Sequence, residues 1–150
     1  MTTYSFKNVQ ASLSGPGGSL SLGAGSGPAE EGITVEMLEE KDLMTVGADG
    51  QIMHTLRASN AARFSLRYLK TSPINAQLSA LYNFQRSSSA NWGQNVLVIS
   101  DTIRGDVVSG SEIAFARQPQ LTYARDSGMN EWIFYGSVNE QLGSGSPSVN

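Results

Sequence analysis

Apolar and polar residues alternate along most of the first half of the chain, which predicts β-strands with one buried face. The alternation runs over residues 4–13 but slips in phase near residues 7–8, where we expect a β-bulge. It resumes at residues 20–22 after the turn sequence GPGG at residues 15–18, so residues 4–22 are predicted to form a hairpin. Further strands are predicted where the alternation returns, at residues 33–37, 52–56 and 64–68.

The hydrophobic period changes once, and this change predicts a single helix over about residues 73–85. Ser72 is a suitable N-cap and Pro73 suits the first helical position. Apolar residues then follow at helical spacing: Ile74, Leu78, Leu81 and Tyr82. We expect this helix to pack with its apolar stripe on a sheet or barrel.

Strand-like segments return after the helix and continue to residue 138. They are predicted at residues 95–100, 106–109, 112–116, 121–124 and 131–138, with turns at Gly105, Gly110 and Gly128. The predicted fold class is mainly β, with a single domain over residues 1–150. Its low-complexity end, about residues 142–150, is expected to be flexible.

The connection EEKDLMTVGADGQIMHT, at residues 39–55, has an unusual composition. It is too long for a tight hairpin turn and too apolar for a solvated loop. Its large apolar residues are Leu43, Met44, Val46, Ile52 and Met53. We expect another surface to cover them.

The composition narrows the possible functions. Charged residues make up 15% of the chain, against roughly 25% in an average soluble domain, which suggests that an assembly covers part of the surface. The formal net charge is −3 and no basic run is present, which argues against a groove that grips phosphate. The absence of cysteine excludes disulfides, thiolate metal sites and a cysteine nucleophile.

The sequence contains no segment typical of membrane insertion or export. The N-terminal residues lack the apolar core of a signal peptide, and no run approaches the ~20 apolar residues needed to span a bilayer. We therefore expect synthesis in the cytoplasm and no stable membrane insertion.

Residue types that carry catalysis are present, but not in patterns that predict an active site. His54 is the only histidine and has no cysteine or second histidine to help it hold a metal. The carboxylates at residues 30–31 and 39–42 are neighbours in sequence, so they do not face one another across a cleft as glycoside hydrolysis requires. The glycine-rich segment at residues 15–27 contains no phosphate-binding motif. No catalytic, metal or cofactor site is predicted, and the chain is not expected to be an enzyme.

Five stretches, taken in order, resemble the tail tube (inner tube) proteins of contractile-tailed bacteriophages. They are GPGGSLSLGAGSGPAEEGITVE (15–36), MTVGADGQIMHTL (44–56), LKTSPINAQLSALYNFQ (69–85), ANWGQNVLVISDTIRGDVV (90–108) and LTYARDSGMNEWIFYG (121–136). None is a catalytic motif, and the resemblance depends on their joint order. The C-terminal LGSGSPSVN carries no such resemblance.

This resemblance implies a fold, an assembly and a place in the virion. The implied fold is a tail-tube-type β-barrel or sandwich with one flanking helix and a long inter-ring hairpin loop, shared with type VI secretion tube proteins. Hexameric rings would stack into the inner tube inside a contractile sheath and form the conduit for genome ejection. The implied partners are further copies of the chain, the sheath, tape measure and tail terminator proteins, and the baseplate. DNA would pass through the lumen without specific binding, and the tail would be assembled in the host cytoplasm.

Two groups of residues become site predictions within this picture. Segment 39–55 would reach the adjacent ring, where its apolar residues become buried: Leu43, Met44, Val46 and Met53. Charged residues at its start would set the register of the contact: Glu39, Glu40, Lys41 and Asp42. If Ile33, Val35 and Met37 face the core, Glu36 points outward and is the first candidate for the lumen.

Three other interpretations stay open from the sequence. A baseplate or adhesin-type binding module could use Trp92 and Trp132 as a glycan platform, although tryptophans in such domains are more simply core or interface anchors. A small hydrolase could use the acidic residues. A type VI secretion tube protein would share the fold.

Overall fold

Nine strands and one α-helix make up the ordered elements of the computed structural model, which describes residues 9–22, 32–102, 105–121, 123 and 128–143. The elements are β1 (Val9–Gly15), β2 (Gly18–Ser21), β3 (Gly32–Met37), β4 (Asp42–Val46), β5 (Ile52–Leu56), β6 (Ala61–Leu69), α1 (Ile74–Arg86), β7 (Asn95–Asp101), β8 (Asp106–Arg117) and β9 (Met129–Gln141). A short 3₁₀ turn, Ser89–Asn91, follows the helix. The mainly β fold class with one flanking helix is confirmed.

Seven strands form one antiparallel sheet in the order β2-β1-β7-β8-β9-β6-β3. Within the described part of the chain, its edge strands are therefore β2 and β3. The remaining two strands, β4 and β5, pair with each other as a separate hairpin between β3 and β6. The hairpin predicted over residues 4–22, with its turn at 15–18, is confirmed over its described part, since β1 and β2 pair across that turn.

The core lies on one face of the large sheet, where the helix covers it. The sheet contributes buried aromatic and aliphatic side chains, among them Leu13, Phe64, Leu97, Phe115 and Phe134. The helix contributes Ile74, Leu78 and Leu81, the stripe that its sequence predicts. Ile33, Val35 and Met37 pack against this core, as expected, so Thr34 and Glu36 lie on the opposite face of β3.

The helix begins one residue later than predicted. Pro73 occupies the cap position and Ile74 is the first helical residue. Ser72 still supports the start, because its Oγ accepts a hydrogen bond of 3.4 Å from the Ile74 N–H.

Two predictions in the second half are wrong: the turn at Gly110, and the strand at 121–124 as far as its described residues Leu121 and Tyr123 go. Residues 106–109 and 112–116 belong to one strand, β8, and Gly110 lies inside it instead of forming a turn. A bulge explains the broken alternation: the pairing with β9 shifts between Ser111 and Ala114, and Glu112 has a φ of 54°. Leu121 and Tyr123 are exposed and lie outside any strand, contrary to the strand predicted at 121–124.

Some predictions lie outside the described residues. They include the bulge near residues 7–8 and the end of the chain from residue 144 onward.

Candidate functional site: an exposed apolar hairpin

The β4–β5 hairpin is locally well formed. Its strands pair in register from Asp42 opposite Leu56 to Val46 opposite Ile52. The turn is closed by a 2.7 Å hydrogen bond from the Gly47 N–H to the Gln51 carbonyl. Segment 39–55 is therefore a paired hairpin. Its strand β4 was not predicted, because apolar and polar residues do not alternate there.

The base of the hairpin is closed as well. The Arg57 N–H donates a 2.7 Å hydrogen bond to the Lys41 carbonyl. The Lys41 ammonium donates to the Ser59 carbonyl and to Asn60 Oδ1. Lys41 thus anchors the hairpin to the connection that leads into β6, and the two ends of the hairpin lie side by side.

Both faces of the hairpin present large apolar side chains. Directly paired residues share a face, so one face carries Asp42, Met44, Val46, Ile52, His54 and Leu56, and the other carries Leu43, Thr45, Met53 and Thr55. Every residue of the two strands is exposed. On the second face, Leu43 is 46% exposed and Met53 is 60% exposed.

Such a hairpin is an unusual surface feature. A two-stranded hairpin is marginally stable by itself in water, and contiguous exposed apolar residues mark a surface that binds another molecule. The residues predicted for the contact are brought together here with Ile52, and the structure adds Leu56 and Leu38 to them. Leu56 was missed because the alternation at 52–56 is typical of a half-buried strand, and Leu38 because it precedes segment 39–55.

One polar pair lies within the first apolar face. His54 Nδ1 is 2.8 Å from Asp42 Oδ2, and both side chains are more than half exposed. The pair links β4 to β5 diagonally and helps to fix the shape of that face. Asp42 thus has a partner within the chain, as Lys41 has, whereas Glu39 and Glu40 are exposed beside the base of the hairpin.

Glu36 lies on the outward face of the large sheet, opposite Arg63 of β6 in the strand register. The next outward positions form a small polar network. Glu131 Oε2 accepts hydrogen bonds from Arg67 Nε, at 2.8 Å, and from Ser65 Oγ, at 3.0 Å. The hydrogen bond from Arg67 outweighs partial burial and lowers the pKa of Glu131 from its ordinary value of 4.5.

The two tryptophans do not form a shared platform. Trp132 is buried, and its Nε1 donates a 3.1 Å hydrogen bond to Asn75 Oδ1 on the helix. Trp92 is partly exposed and packs edge-on against Tyr82, with ring centroids 6.1 Å apart.

The described residues contain no cluster of three or more histidine, cysteine or acidic side chains placed to hold a metal ion. In the same part of the chain, no helix has the length and apolar character to cross a membrane.

The fold is shared with proteins that end the tubes of contractile injection machines. The anti-feeding prophage tube-terminating cap matches with a TM-score of 0.54 at 11% identity, over 95% of this chain and 94% of that one. The sheath/tube terminator of the extracellular contractile injection system PVC, in its extended state, matches with a TM-score of 0.55 at 14% identity, over 94% and 98%. A chain of the PVC sheath-tube complex, also extended, gives a TM-score of 0.49 at 13% identity, over 89% and 88%.

The fold is thus a β-rich one that this chain shares with the two tube-ending proteins. The chain belongs to the bacteriophage PhiTE tail tube protein family, whose model matches residues 1–143. It is accordingly a structural component of a phage tail and not an enzyme. Among curated proteins, no sequence matches this chain.

Proposed function

We propose that six copies of this chain close into a ring and that rings stack into the inner tail tube inside a contractile sheath. The assembled tube is the conduit for genome ejection. The observation that carries this proposal is the β4–β5 hairpin, which exposes apolar residues on both faces in a member of a tail tube family.

The hairpin is the contact between rings, and its partner is a second copy of the chain. Leu43 and Met53 would be buried on one side, with Met44 and Val46 on the other, so the partner surface must enclose the hairpin. Glu39 and Glu40 are exposed, so their charges can fix how the hairpin aligns with the neighbouring subunit. Lys41 and Asp42 instead make contacts within the chain that hold the hairpin in shape.

Contacts within a ring would use other parts of the subunit. The large sheet has two edge strands, β2 and β3, and unpaired edges promote association with another chain. A head-to-tail contact that closes on itself converts this tendency into a ring of fixed size. On the outward face of β3, Glu36 is the proposed lumen residue, with Arg63 beside it to offset its charge.

The remaining partners follow from this role. The tube would be assembled in the host cytoplasm and contact the sheath, tape measure and tail terminator proteins and the baseplate. DNA would pass through the lumen without specific binding, and no cofactor is required.

The decisive experiment removes the hairpin without disturbing the rest of the subunit. Residues 42–56 are replaced by Asn-Gly, because the Lys41 carbonyl and the Arg57 N–H are already 2.7 Å apart. The variant should keep the circular dichroism spectrum and cooperative unfolding of the parent. Negative-stain electron microscopy should show stacked tubes for the parent and none for the variant.

A second truncation serves as the control. A variant without residues 144–150, which lie outside the family match, should assemble like the parent. Tubes of normal length from the variant without the hairpin would contradict the proposed stacking contact.

A further inference from the structure

The hairpin and the helix are joined to opposite ends of the large sheet. The chain leaves the sheet for the hairpin where β3 ends at Met37, and it returns where β6 begins at Ala61. It leaves for the helix where β6 ends at Leu69, and it returns where β7 begins at Asn95. Because β6 and β7 run in opposite directions, the end of β6 and the start of β7 lie at the same end of the sheet. We call the two ends the hairpin end and the helix end.

Charges of opposite sign predominate at these two ends among the residues that the structure describes. The hairpin end has basic residues at Lys41 and Arg57, and its more numerous acidic residues are Glu39, Glu40, Asp42, Asp49, Asp101, Asp106 and Glu140. The helix end has one acidic residue, Glu131, and its basic residues are Arg67, Lys70, Arg86 and Arg117. Two such ends attract each other when subunits stack head to tail, whereas like ends repel.

A cleft at the helix end is lined by aromatic rings and one cation. Its lining residues come from α1 and from the connection to β7: Tyr82, Arg86, Ser88, Ser89 and Trp92. The Tyr82 ring packs edge-on against Trp92, with centroids 6.1 Å apart, and the Arg86 guanidinium lies 5.5 Å from the centroid of the Tyr82 ring. Tyr82 also packs edge-on against Phe115, with centroids 5.4 Å apart, so the aromatic wall of the cleft is fixed to the core.

The cleft presents the chemistry that the hairpin needs in a partner. Aromatic rings make favourable contacts with methionine sulfur, and the hairpin exposes Met44 and Met53. Arg86 is exposed, and among the described residues no carboxylate pairs with it. Glu39 and Glu40 are exposed carboxylates beside the base of the hairpin, so the charges of the two surfaces are complementary.

We propose that this cleft receives the β4–β5 hairpin of a second copy of the chain in the next ring. This inference rests on the proposed function and names the surface that the hairpin meets. The hairpin leaves one end of the subunit and the cleft lies at the other, so the same contact repeats from ring to ring without closing on itself. The cleft covers one face of the hairpin, and the adjoining subunit of the receiving ring covers the other.

Cross-linking tests whether the hairpin and the cleft lie side by side. The chain contains no cysteine, so Thr45→Cys on the hairpin and Ser89→Cys on the cleft introduce the only two thiols. Both positions are exposed. In assembled samples, a short bismaleimide should join the double variant into a ladder of covalent oligomers on denaturing gels, because each subunit is then linked to one above and one below. Either single variant can give at most linked pairs.

A matched double variant controls for non-specific reaction. Ser12→Cys replaces Thr45→Cys beside the same Ser89→Cys, and Ser12 is exposed on the face of β1 that points away from the core. This control should give no ladder. A ladder of equal yield from the control would count against the cleft assignment.

The outcomes separate the contact from the tube itself, because electron microscopy scores assembly before the cross-linker is added. Tubes of the double variant that give no ladder would overturn the cleft assignment and leave the proposed function intact. A ladder without tubes would support the contact and count against the tube. The absence of both would count against both proposals.

Charge reversal tests the polar part of the contact. Arg86→Glu should raise the critical concentration for assembly at least about tenfold, because like charges then meet. Glu39→Lys together with Glu40→Lys should raise it similarly, and all three changes combined should return it to within about threefold of the parent. Arg117→Glu makes the same charge change at the helix end outside the cleft, and its effect should stay below about threefold. Equal effects of Arg86→Glu and Arg117→Glu, or no recovery in the triple variant, would overturn the assigned pairing.

Trp92→Ala tests the aromatic wall. Aromatic anchors carry much of the binding energy of interfaces, so the critical concentration should rise at least about tenfold. Trp92→Phe keeps a ring and should assemble close to the parent. Tyr123→Ala removes an exposed aromatic ring outside the cleft and should also leave assembly near the parent value. Normal assembly of a folded Trp92→Ala variant would overturn the proposal and assign the cleft to another partner, such as a glycan.

Discussion

Gln85 and Asn95 exchange two hydrogen bonds in the interior of the subunit, each 2.7 Å long. Gln85 is at the end of the helix and Asn95 begins β7, and both side chains are fully buried. Gln85 Nε2 also donates to the Pro16 carbonyl at 3.0 Å, and Asn95 Nδ2 donates to the Ile113 carbonyl at 3.0 Å. This amide pair therefore connects the helix, the first hairpin and the bulge of β8.

Removing one amide should destabilise the whole subunit. Asn95→Ala removes the amide that donates to Gln85 Oε1 and to the Ile113 carbonyl, and leaves both oxygens buried. We expect the unfolding free energy to fall by about 3 kcal/mol. Chemical denaturation of the isolated subunit measures it. Asn139→Ala, at an exposed position of β9, should change stability by less than about 0.5 kcal/mol.

A double-mutant cycle isolates the pair itself. Gln85→Ala with Asn95→Ala should cost less than the two single changes added together, by about 1 kcal/mol or more. Additive costs would mean that the two amides act independently, contrary to the geometry.

Gly136 should be intolerant of any side chain. A Cβ there would lie 2.5 Å from Ile113 Cγ1 and 3.0 Å from both Ile113 Cα and the Ser111 carbonyl, so backbone would have to move. We expect Gly136→Ala to cost about 2 kcal/mol of unfolding free energy. Gly128→Ala is the matched control, because among the described residues no atom beyond its chain neighbours lies within 4 Å of its Cβ position. Equal stability of the two variants would show that the β8 bulge relaxes freely.

This bulge also marks where sequence patterns stop predicting the fold. The helix was recognisable because its stripe at Ile74, Leu78 and Leu81 is continuous, and several strands were recognisable because they alternate. In β8 the alternation is interrupted by two residues, and Gly110 resembles a turn residue. Gly110 is needed instead because it has no side chain: a Cβ at this position would lie only 2.6 Å from Ile113 Cδ1. That requirement comes from packing between neighbouring strands, so it produces no periodic pattern in the sequence around Gly110.

The candidate site was predictable in part for a similar reason. Exposed methionines and leucines in a connection can be read directly from the sequence, so segment 39–55 was found. The pairing of His54 with Asp42, and the contact of Lys41 with Asn60, depend on strand register and on a distant loop.

Acid should weaken the interaction between Arg67 and Glu131. The folded-state pKa of Glu131 is below its ordinary value of 4.5, so its carboxylate stabilises the fold above that pH. This contribution is lost as the pH falls through the lowered pKa. Because both side chains are at least a third exposed, we expect it to be below about 1 kcal/mol.

The measurement compares unfolding free energies from pH 7 to pH 3. Glu131→Gln should destabilise the subunit slightly at pH 7, and the difference from the parent should shrink at pH 3. Glu140→Gln makes the same charge change on the same strand at a distance from Arg67. An equal pH response in both variants would assign the effect to overall charge instead of the Arg67 contact.

The two faces of the β4–β5 hairpin should both be required for assembly. Met53→Ser changes one face and Met44→Ser the other, and each removes a large side chain that the isolated subunit leaves exposed. Subunit stability should therefore stay within about 0.5 kcal/mol of the parent for both. If the partner encloses the hairpin, each change removes roughly 1–2 kcal/mol of burial per contact.

Light scattering against protein concentration then gives the critical concentration for assembly. It should rise about tenfold or more for either variant, and Leu142→Ser, another exposed apolar residue outside the hairpin, should leave it near the parent value. Sensitivity of one face alone would show that the hairpin lies flat on its neighbour. A flat contact would bury one face of the hairpin and leave the apolar residues of the other face in water in the finished tube. Burial of apolar surface favours a contact that covers both faces, so we expect Met53→Ser and Met44→Ser to raise the critical concentration equally.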